Sequence, residues 1–156
     1  MHGSDWVGRD VSGWWVSEKF NGHRVRWTGS QLVTRAGKTL APPPWFTNGL
    51  PKYELDGELH AGRGKTHDDV QSALKLDLWG KLIFTAFDVP GAVIEDAVEQ
   101  LRTLACGCSY WRTPDTTTAL WMVRTVKGCG GEGIMLRRPG SAYVPYRTDD
   151  LLKMKA

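Results

Sequence analysis

Lys19 has the setting that most strongly suggests chemistry, within SEKFNGHRVRW at residues 17–27. A lysine amine that loses its proton is a nucleophile, while Gly22 would let the backbone approach a phosphate and Arg24 would bind its oxygens. The segment also has an ordinary structural interpretation. Asn-Gly between strand-like residues is a strong hairpin signal, which would make Lys19 a solvated strand residue. This segment alone leaves both interpretations open.

Carboxylates and lysines further along the chain could serve the same chemistry. Attack of an amine on a nucleotide α-phosphate needs a divalent cation to offset developing negative charge, and Glu58 or Glu132 could hold that cation. The triphosphate needs positive charge as well, which Lys153 and Lys155 in LLKMK could supply. Lys153 and Lys155 also alternate with apolar neighbours, as solvent-facing strand residues do.

A nucleotide would also need groups for its sugar, phosphates and base. Arg24 and Arg35 are available for ribose or phosphate oxygens, and Phe87 in FTAFDV offers an aromatic face. Taken singly, such residues are more often structural than functional. Together they supply every part that a lysine nucleophile acting on a nucleotide requires.

The segments that carry these residues are mostly predicted strands. WWVSEKF, HRVRWTG and QLVTRAG are rich in aromatic and β-branched residues and are separated by turn signals. The loop APPPWFTNGLP at 41–51 follows, where the prolines are expected to exclude a helix. YELDGELHAG then predicts a strand, a turn and another strand. GRGKT at 62–66 predicts a surface turn, because it lacks the spacing of a phosphate-binding P-loop.

Helices are predicted later in the chain, with further strands between and after them. THDDVQSALKLD has Thr66 as a helix cap, residues 92–105 carry an apolar stripe, and a third helix runs from a cap at Asp115 to a stop at Gly128. The strands are KLIFTAFDV, EGIMLRRP and LLKMKA. The sum is an α+β domain with mainly antiparallel sheets and flanking helices.

Length and composition fit one domain over residues 1–156. The chain has a mass of 17.4 kDa and a formal net charge of +3, which permits a polyanionic partner without requiring one. No apolar run reaches the length of a transmembrane helix and the start lacks signal-peptide features, so we expect a cytoplasmic protein. We also expect a monomer. The three cysteines and four histidines lack the spacing of a structural zinc site.

The order of these segments resembles the nucleotidyltransferase domain of ATP-dependent DNA ligases, especially the compact bacterial and viral kind. EKFNGHR resembles the nucleophile motif KxDGxR, and ELDGEL resembles the DGE motif. FTAFDV resembles the aromatic-plus-Asp motif, GGEGIMLRR the EG motif and LLKMK the KxK motif. The resemblance spans Trp14 to Lys155, and five motifs in order are far more specific than any one alone.

The resemblance implies covalent nucleotidyl transfer on an ATP-grasp-like nucleotidyltransferase fold. Lys19 would attack the α-phosphate of ATP, release pyrophosphate and hold AMP. The AMP would pass to the 5′-phosphate of a nick in double-stranded DNA before the 3′-hydroxyl seals the strand. The implied cation is Mg²⁺ or Mn²⁺, with Glu132 and Glu58 as its ligands. The residues implied to be catalytic are Lys19, Asn21, Lys153 and Lys155. The residues implied to bind the nucleotide are Glu18 through its backbone near the base, Arg24 and Glu58 at the ribose, Arg35 at the sugar or a DNA phosphate, Phe87 at adenine, and Glu132, Lys153 and Lys155.

Two departures from the family pattern bear on activity. Asn21 stands where the nucleophile motif has aspartate, and the lost charge is expected to weaken metal binding and slow lysine adenylylation or sealing. The family carries an OB-fold domain after the KxK motif, whereas this sequence ends at Ala156. We therefore expect a domain that holds AMP better than it seals nicks, with the OB-fold domain absent or on a separate polypeptide.

Three alternatives stay open. Asn21 also resembles the residue at this position in some RNA ligases, and cap-type guanylyl transfer would use similar chemistry. A catalytically weakened module that binds nicked or broken DNA is a non-enzymatic alternative, with salt-sensitive affinity from its basic groups. The sequence leaves repair, replication and recombination equally open as biological roles.

Overall fold

The computed structural model describes residues 1–155 and contains two sheets flanked by helices. The helices are α1 (Pro44–Thr47), α2 (His67–Lys75), α3 (Ile94–Arg102) and α4 (Thr116–Gly128), with a 3₁₀ turn at Trp79–Lys81. The strands are β1 (His2–Asp5), β2 (Trp15–Lys19), β3 (Gly22–Trp27), β4 (Leu32–Thr34), β5 (Leu55–His60), β6 (Ile83–Asp88), β7 (Trp111–Arg112), β8 (Gly133–Arg137) and β9 (Arg147–Met154).

The strands form one five-stranded and one four-stranded sheet. The first sheet has the order β1-β9-β8-β2-β7, and the second has the order β4-β3-β5-β6. Strands β1 and β9 are parallel, while the other neighbours in residues 1–155 are antiparallel. The predicted α+β class with mainly antiparallel sheets is confirmed.

The Asn-Gly segment does not form a hairpin, so the structural interpretation of residues 17–27 is wrong. Strand β2 pairs with β7 and β8 in the first sheet, while β3 pairs with β4 and β5 in the second. Neither Asn21 nor Gly22 has the positive φ angle of a tight hairpin turn. Gly22 is needed for another reason, because a Cβ there would lie 2.1 Å from the backbone oxygen of Leu59. The segment is a crossing between sheets.

Two other local predictions need correction. The proline-rich loop at 41–51 contains the one-turn helix α1, because Pro44 occupies the first turn, where its missing N–H is not required. YELDGELHAG forms one continuous strand, β5, with a register shift between Asp56 and Gly57 where a turn was expected. A Cβ at Gly57 would lie 2.5 Å from the oxygen of Thr85, so this glycine permits close strand pairing.

The predicted helices begin where their caps indicated. Thr66 and Asp69 form a capping box at α2, and Asp115 accepts a 2.7 Å hydrogen bond from the Thr118 amide at α4. Helix α3 is shorter than the predicted 92–105, since Val93 is extended. None of the helices within residues 1–155 is long and apolar enough to cross a membrane.

Each sheet has its own hydrophobic core, and a buried ion pair connects them. One core centres on β3, β5, β6, α2 and α3, and the other on β2, β8, β9 and α4. Arg137 at the end of β8 donates to Asp88 at the end of β6, and both residues are buried. This pair fixes the second sheet against the first, and both of its residues border a cavity lined by the two sheets.

Candidate active site

A cavity of about 620 Å³ contains most of the residues predicted to act on a nucleotide. Its lining combines several positively charged side chains with two carboxylates of the second sheet, Glu58 and Asp88, and with the aromatic rings of Phe20, Phe87 and Tyr110. The predicted residues that line it are Glu18, Lys19, Arg24, Arg35, Glu58, Phe87 and Lys153. The structure therefore brings together groups that lie far apart in the sequence.

Strand register explains why Lys19 meets Glu132 and Lys155. Lys19 pairs with Gly133 across β2 and β8, so the residue before Gly133 lies beside the lysine. Lys19 Nζ is 3.0 Å from Glu132 Oε1, and Lys155 Nζ is 3.1 Å from the same oxygen. Burial tends to raise the pKa of Glu132, but the hydrogen bonds from both lysines outweigh it and lower that pKa. Glu132 is thus a charged carboxylate between two cations.

Glu58 approaches the same region from the second sheet. Its Oε2 accepts a 3.1 Å hydrogen bond from the Gly22 amide, which ties it to the crossing between the sheets. Burial raises the pKa of Glu58 to about 7, although the charges of Lys19 and Arg24 oppose the shift. A carboxyl group that is partly protonated near neutral pH can donate or accept a hydrogen bond at the cavity wall.

Arg24 is held firmly and lies against the predicted base platform. It donates to both carboxylate oxygens of Asp56 and, at 2.7 Å, to the backbone oxygen of Met1. Its guanidinium carbon is 4.9 Å from the centre of the Phe87 ring. Tyr143 also donates to Asp56 at 2.8 Å. No local pattern in the sequence predicts the support of Arg24 by Asp56 and Tyr143, which depends on tertiary contacts.

Positive charge collects at the β1 side of the cavity. Arg35 Nη2 is 3.1 Å from His2 Nδ1, and Lys153 Nζ is 3.5 Å from Asp5 Oδ1. The pKa of His2 is lowered by burial and by the charges of Arg35 and Arg24. Reasoning from sequence missed β1, whose HGSD sequence has no strand pattern. The local excess of cations suits phosphate oxygens.

Two predicted site residues border a second cavity of about 280 Å³ instead. Asn21 and Glu132 line this smaller cavity, together with Lys19 and the GRGKT turn at 62–66. Asn21 is exposed there. Lys19 therefore borders both cavities, and the predicted surface turn is part of the surroundings of the site.

The carboxylates fit part of a magnesium site. Among residues 1–155 there is no group of three or more His, Cys, Asp or Glu side chains arranged to hold a metal ion. Magnesium usually keeps several waters and is bound by one or two carboxylates together with substrate phosphates. Glu132, or Glu58 in its ionised form, could be the protein's share of such a ligand set.

Similarity to known proteins extends over nearly the whole chain. No family model matches it. A DNA ligase from Haemophilus influenzae is 32% identical over 158 aligned residues, covering 93% of this chain and 59% of that protein. A solved Lig E DNA ligase, from work on DNA binding with a minimal scaffold, is 29% identical with a TM-score of 0.84 over all of this chain and 69% of the other. The chain is therefore similar to DNA ligases in sequence and in fold.

The DNA ligase fold is seen in a more distant structure as well. The Chlorella virus DNA ligase-adenylate is 23% identical and superposes with a TM-score of 0.78 over 98% of this chain and 65% of the other. Relative to the Haemophilus DNA ligase, this chain spans somewhat over half of the full length. Within this DNA ligase fold, the motif FTAFDV directs Phe87 to the cavity and Asp88 into the ion pair with Arg137. The recognised resemblance is confirmed.

Proposed function

We propose that this chain carries out the nucleotidyl-transfer chemistry of an ATP-dependent DNA ligase. The observation that carries the proposal is the contact of Lys19 with Glu132 at the edge of a cavity that has Glu58 and Phe87 in its walls. A lysine poised beside a nucleotide-sized cavity, on the fold of DNA ligases, is the arrangement that a covalent nucleotidyl intermediate needs. ATP is the proposed cofactor.

The proposed first step transfers AMP to the lysine. The Lys19 amine loses a proton and its lone pair attacks the α-phosphorus of ATP. A nitrogen–phosphorus bond forms, the bond from the α-phosphorus to the bridging oxygen breaks, and pyrophosphate leaves. Lys153 and Lys155 would offset the charge on the α-phosphate, since Lys153 lines the cavity and Lys155 contacts Glu132, the carboxylate that also contacts Lys19.

The second and third steps would use DNA. A 5′-phosphate oxygen at a nick attacks the phosphorus on Lys19, the nitrogen–phosphorus bond breaks, and the lysine regains a proton. The 3′-hydroxyl then attacks the 5′-phosphate, forms the phosphodiester and releases AMP. Arg35 lies among the cations at the β1 side, so it is the proposed contact for a nucleotide or DNA phosphate.

The remaining side chains would hold the nucleotide. Phe87 is the proposed platform for adenine. Arg24, which donates to Asp56, packs its guanidinium group against the Phe87 ring and so holds the ring in place. Glu58 would bind the ribose as a hydrogen-bonding partner. A bound Mg²⁺ or Mn²⁺ would offset the negative charge of the triphosphate, with Glu132 and Glu58 as protein ligands. We propose that an OB-fold domain, either on the same polypeptide or on a separate one, helps to hold the DNA.

A nick-sealing assay tests the proposal. The purified chain is incubated with ATP, MgCl₂ and a duplex whose nick has a labelled 5′-phosphate, beside the Lys19→Ala variant and a duplex with an RNA strand at the nick. We expect adenylylated or sealed DNA with the unaltered chain, none with Lys19→Ala, and less product on RNA. Preference for the RNA nick would favour the RNA ligase alternative. Binding without any product would favour the DNA-binding module.

A further inference from the structure

Residues 62–66, here called the GRGKT turn, connect the two sheets beside Lys19. The turn follows β5 of the second sheet, yet Arg63 contacts Glu18 on β2 of the first sheet. Arg63 Nε is 2.9 Å from Glu18 Oε1, and its Nη2 is 3.0 Å from Glu18 Oε2. Both hydrogen bonds of a two-pronged arginine–carboxylate pair are therefore formed, which fixes direction as well as distance.

The same turn also contacts the segment before Glu132. The Gly64 amide donates a 3.0 Å hydrogen bond to the backbone oxygen of Gly130. A Cβ at Gly131 would lie 2.8 Å from Glu18 Oε1, so the carboxylate of Glu18 packs closely against the GGEG backbone. Glu18 is thus enclosed between Arg63 and the backbone of Gly131.

These contacts act on both members of the Lys19–Glu132 pair. Glu18 directly precedes Lys19 on β2, and Gly131 directly precedes Glu132. The GRGKT turn consequently restrains the two backbones that carry the pair. A displacement of about 1 Å in a reacting group can reduce a rate about 100-fold, so such restraint is relevant to chemistry at Lys19.

We propose that Arg63 is a positioning residue, which sets Lys19 against Glu132 through its ion pair with Glu18. This inference rests on the proposed nucleotidyl transfer to Lys19. Arg63 itself contacts Glu18 and not Lys19, so it takes no direct part in bond formation. Its contribution is expected in the rate of adenylylation at saturating ATP rather than in the affinity for ATP.

The competing explanation is an ordinary surface ion pair. The side chain of Arg63 is 49% exposed and that of Glu18 is 20% exposed. A pair of this exposure contributes little to folding and would leave the rate of adenylylation unchanged. The two explanations therefore differ in the rate of adenylylation, whereas both permit a small change in thermal stability.

The test compares single-turnover adenylylation of Lys19 across matched variants of the full chain. The variants are Arg63→Ala, Arg63→Lys, Glu18→Arg, the charge-reversed double variant Glu18→Arg with Arg63→Glu, and Arg102→Ala, at an exposed position on α3 that lines neither cavity, as the charge control. For each one, the maximal rate constant, the ATP concentration for half-maximal rate and the melting temperature are measured.

We expect Arg63→Ala to lower the maximal rate at least about tenfold, with the half-saturating ATP concentration changed less than about threefold. Arg63→Lys retains the charge without the two-pronged geometry, so its maximal rate should lie between the rates of Arg63→Ala and the unaltered chain. The double variant should react faster than either Glu18→Arg or Arg63→Ala, because it restores the pair. Equal rates for Arg63→Ala, Arg102→Ala and the unaltered chain, with no gain in the double variant, would overturn the inference alone. An unaltered chain without any adduct would contradict the proposed function as well.

Discussion

Breaking the buried pair between Asp88 and Arg137 should destabilise the fold strongly. Asp88 is 3% exposed and Arg137 is 1% exposed, so water cannot compensate either charge. In Asp88→Asn, Arg137 keeps its hydrogen bonds to Ser141 at 2.7 and 3.3 Å but loses its charged partner. Removing one member of a buried ion pair costs about 3–5 kcal/mol, because the other charge stays buried and uncompensated.

An adjacent pair provides a matched control. Arg138 Nε is 2.6 Å from Asp150 Oδ1, but those side chains are 42% and 37% exposed. Asp150→Asn makes the same chemical change in water-accessible surroundings, so its cost should be below about 1 kcal/mol. The two variants differ mainly in burial.

Urea unfolding followed by tryptophan fluorescence measures both effects. The eight tryptophans should report the loss of both cores, and equal slopes would support comparison of the midpoints. A loss of about 3–5 kcal/mol is a large part of the stability of a typical domain, so Asp88→Asn should be close to unfolding at 25 °C. Replacing Arg137 by methionine in the Asp88→Asn background should recover part of the loss. Equal stability of Asp88→Asn and Asp150→Asn would refute the argument that burial governs this pair.

Three further perturbations test the site. Gly22→Ala should lower the free energy of unfolding, measured with urea, by about 3 kcal/mol or more, because the new Cβ would clash with the backbone oxygen of Leu59. A variant as stable as the unaltered chain would contradict this close approach. Because the pKa of Glu58 is raised from 4.5 to about 7, the folded chain binds more protons than the unfolded chain in that window. The contribution of Glu58 to stability is therefore present below pH 4.5 and is lost as the pH rises through 7. Glu58→Gln should remove this decrease in the free energy of unfolding between pH 4.5 and 7. An unchanged dependence of unfolding on pH in Glu58→Gln would contradict the raised pKa of Glu58. Asn21→Asp restores a carboxylate beside Lys19 and should lower the Mg²⁺ concentration for half-maximal adenylylation, whereas an unchanged or higher concentration would exclude a metal role at this position.

Local signals in the sequence located the three longer helices and most strands. Helices α2 and α4 begin after Thr66 and Asp115 because each cap bonds a residue three positions later: the Thr66 amide donates to Asp69, and Asp115 accepts from the Thr118 amide. Similarly, the motif segments around Lys19 and Phe87 lie on strands, as their aromatic and β-branched composition predicts. Such elements depend little on the rest of the chain.

Pairing between distant segments could not be predicted in the same way. Asn21-Gly22 has the composition of a hairpin, but β2 and β3 find better partners in β8 and β5, so tertiary pairing overrides the local signal. Contacts such as Arg63 with Glu18, 45 residues apart, have no local pattern at all. The same applies to His2 beside Arg35, because β1 gains its place only through pairing with β9.

Intact-mass spectrometry after incubation with ATP and MgCl₂ tests the central claim most directly. The account predicts that the chain gains the mass of one AMP, that the adduct is absent from Lys19→Ala, and that added pyrophosphate removes it by reversing the first step. Circular dichroism of Lys19→Ala confirms that the control is folded. An adduct that persists in Lys19→Ala, or no adduct in the folded unaltered chain, would contradict the assignment of Lys19 as the nucleophile.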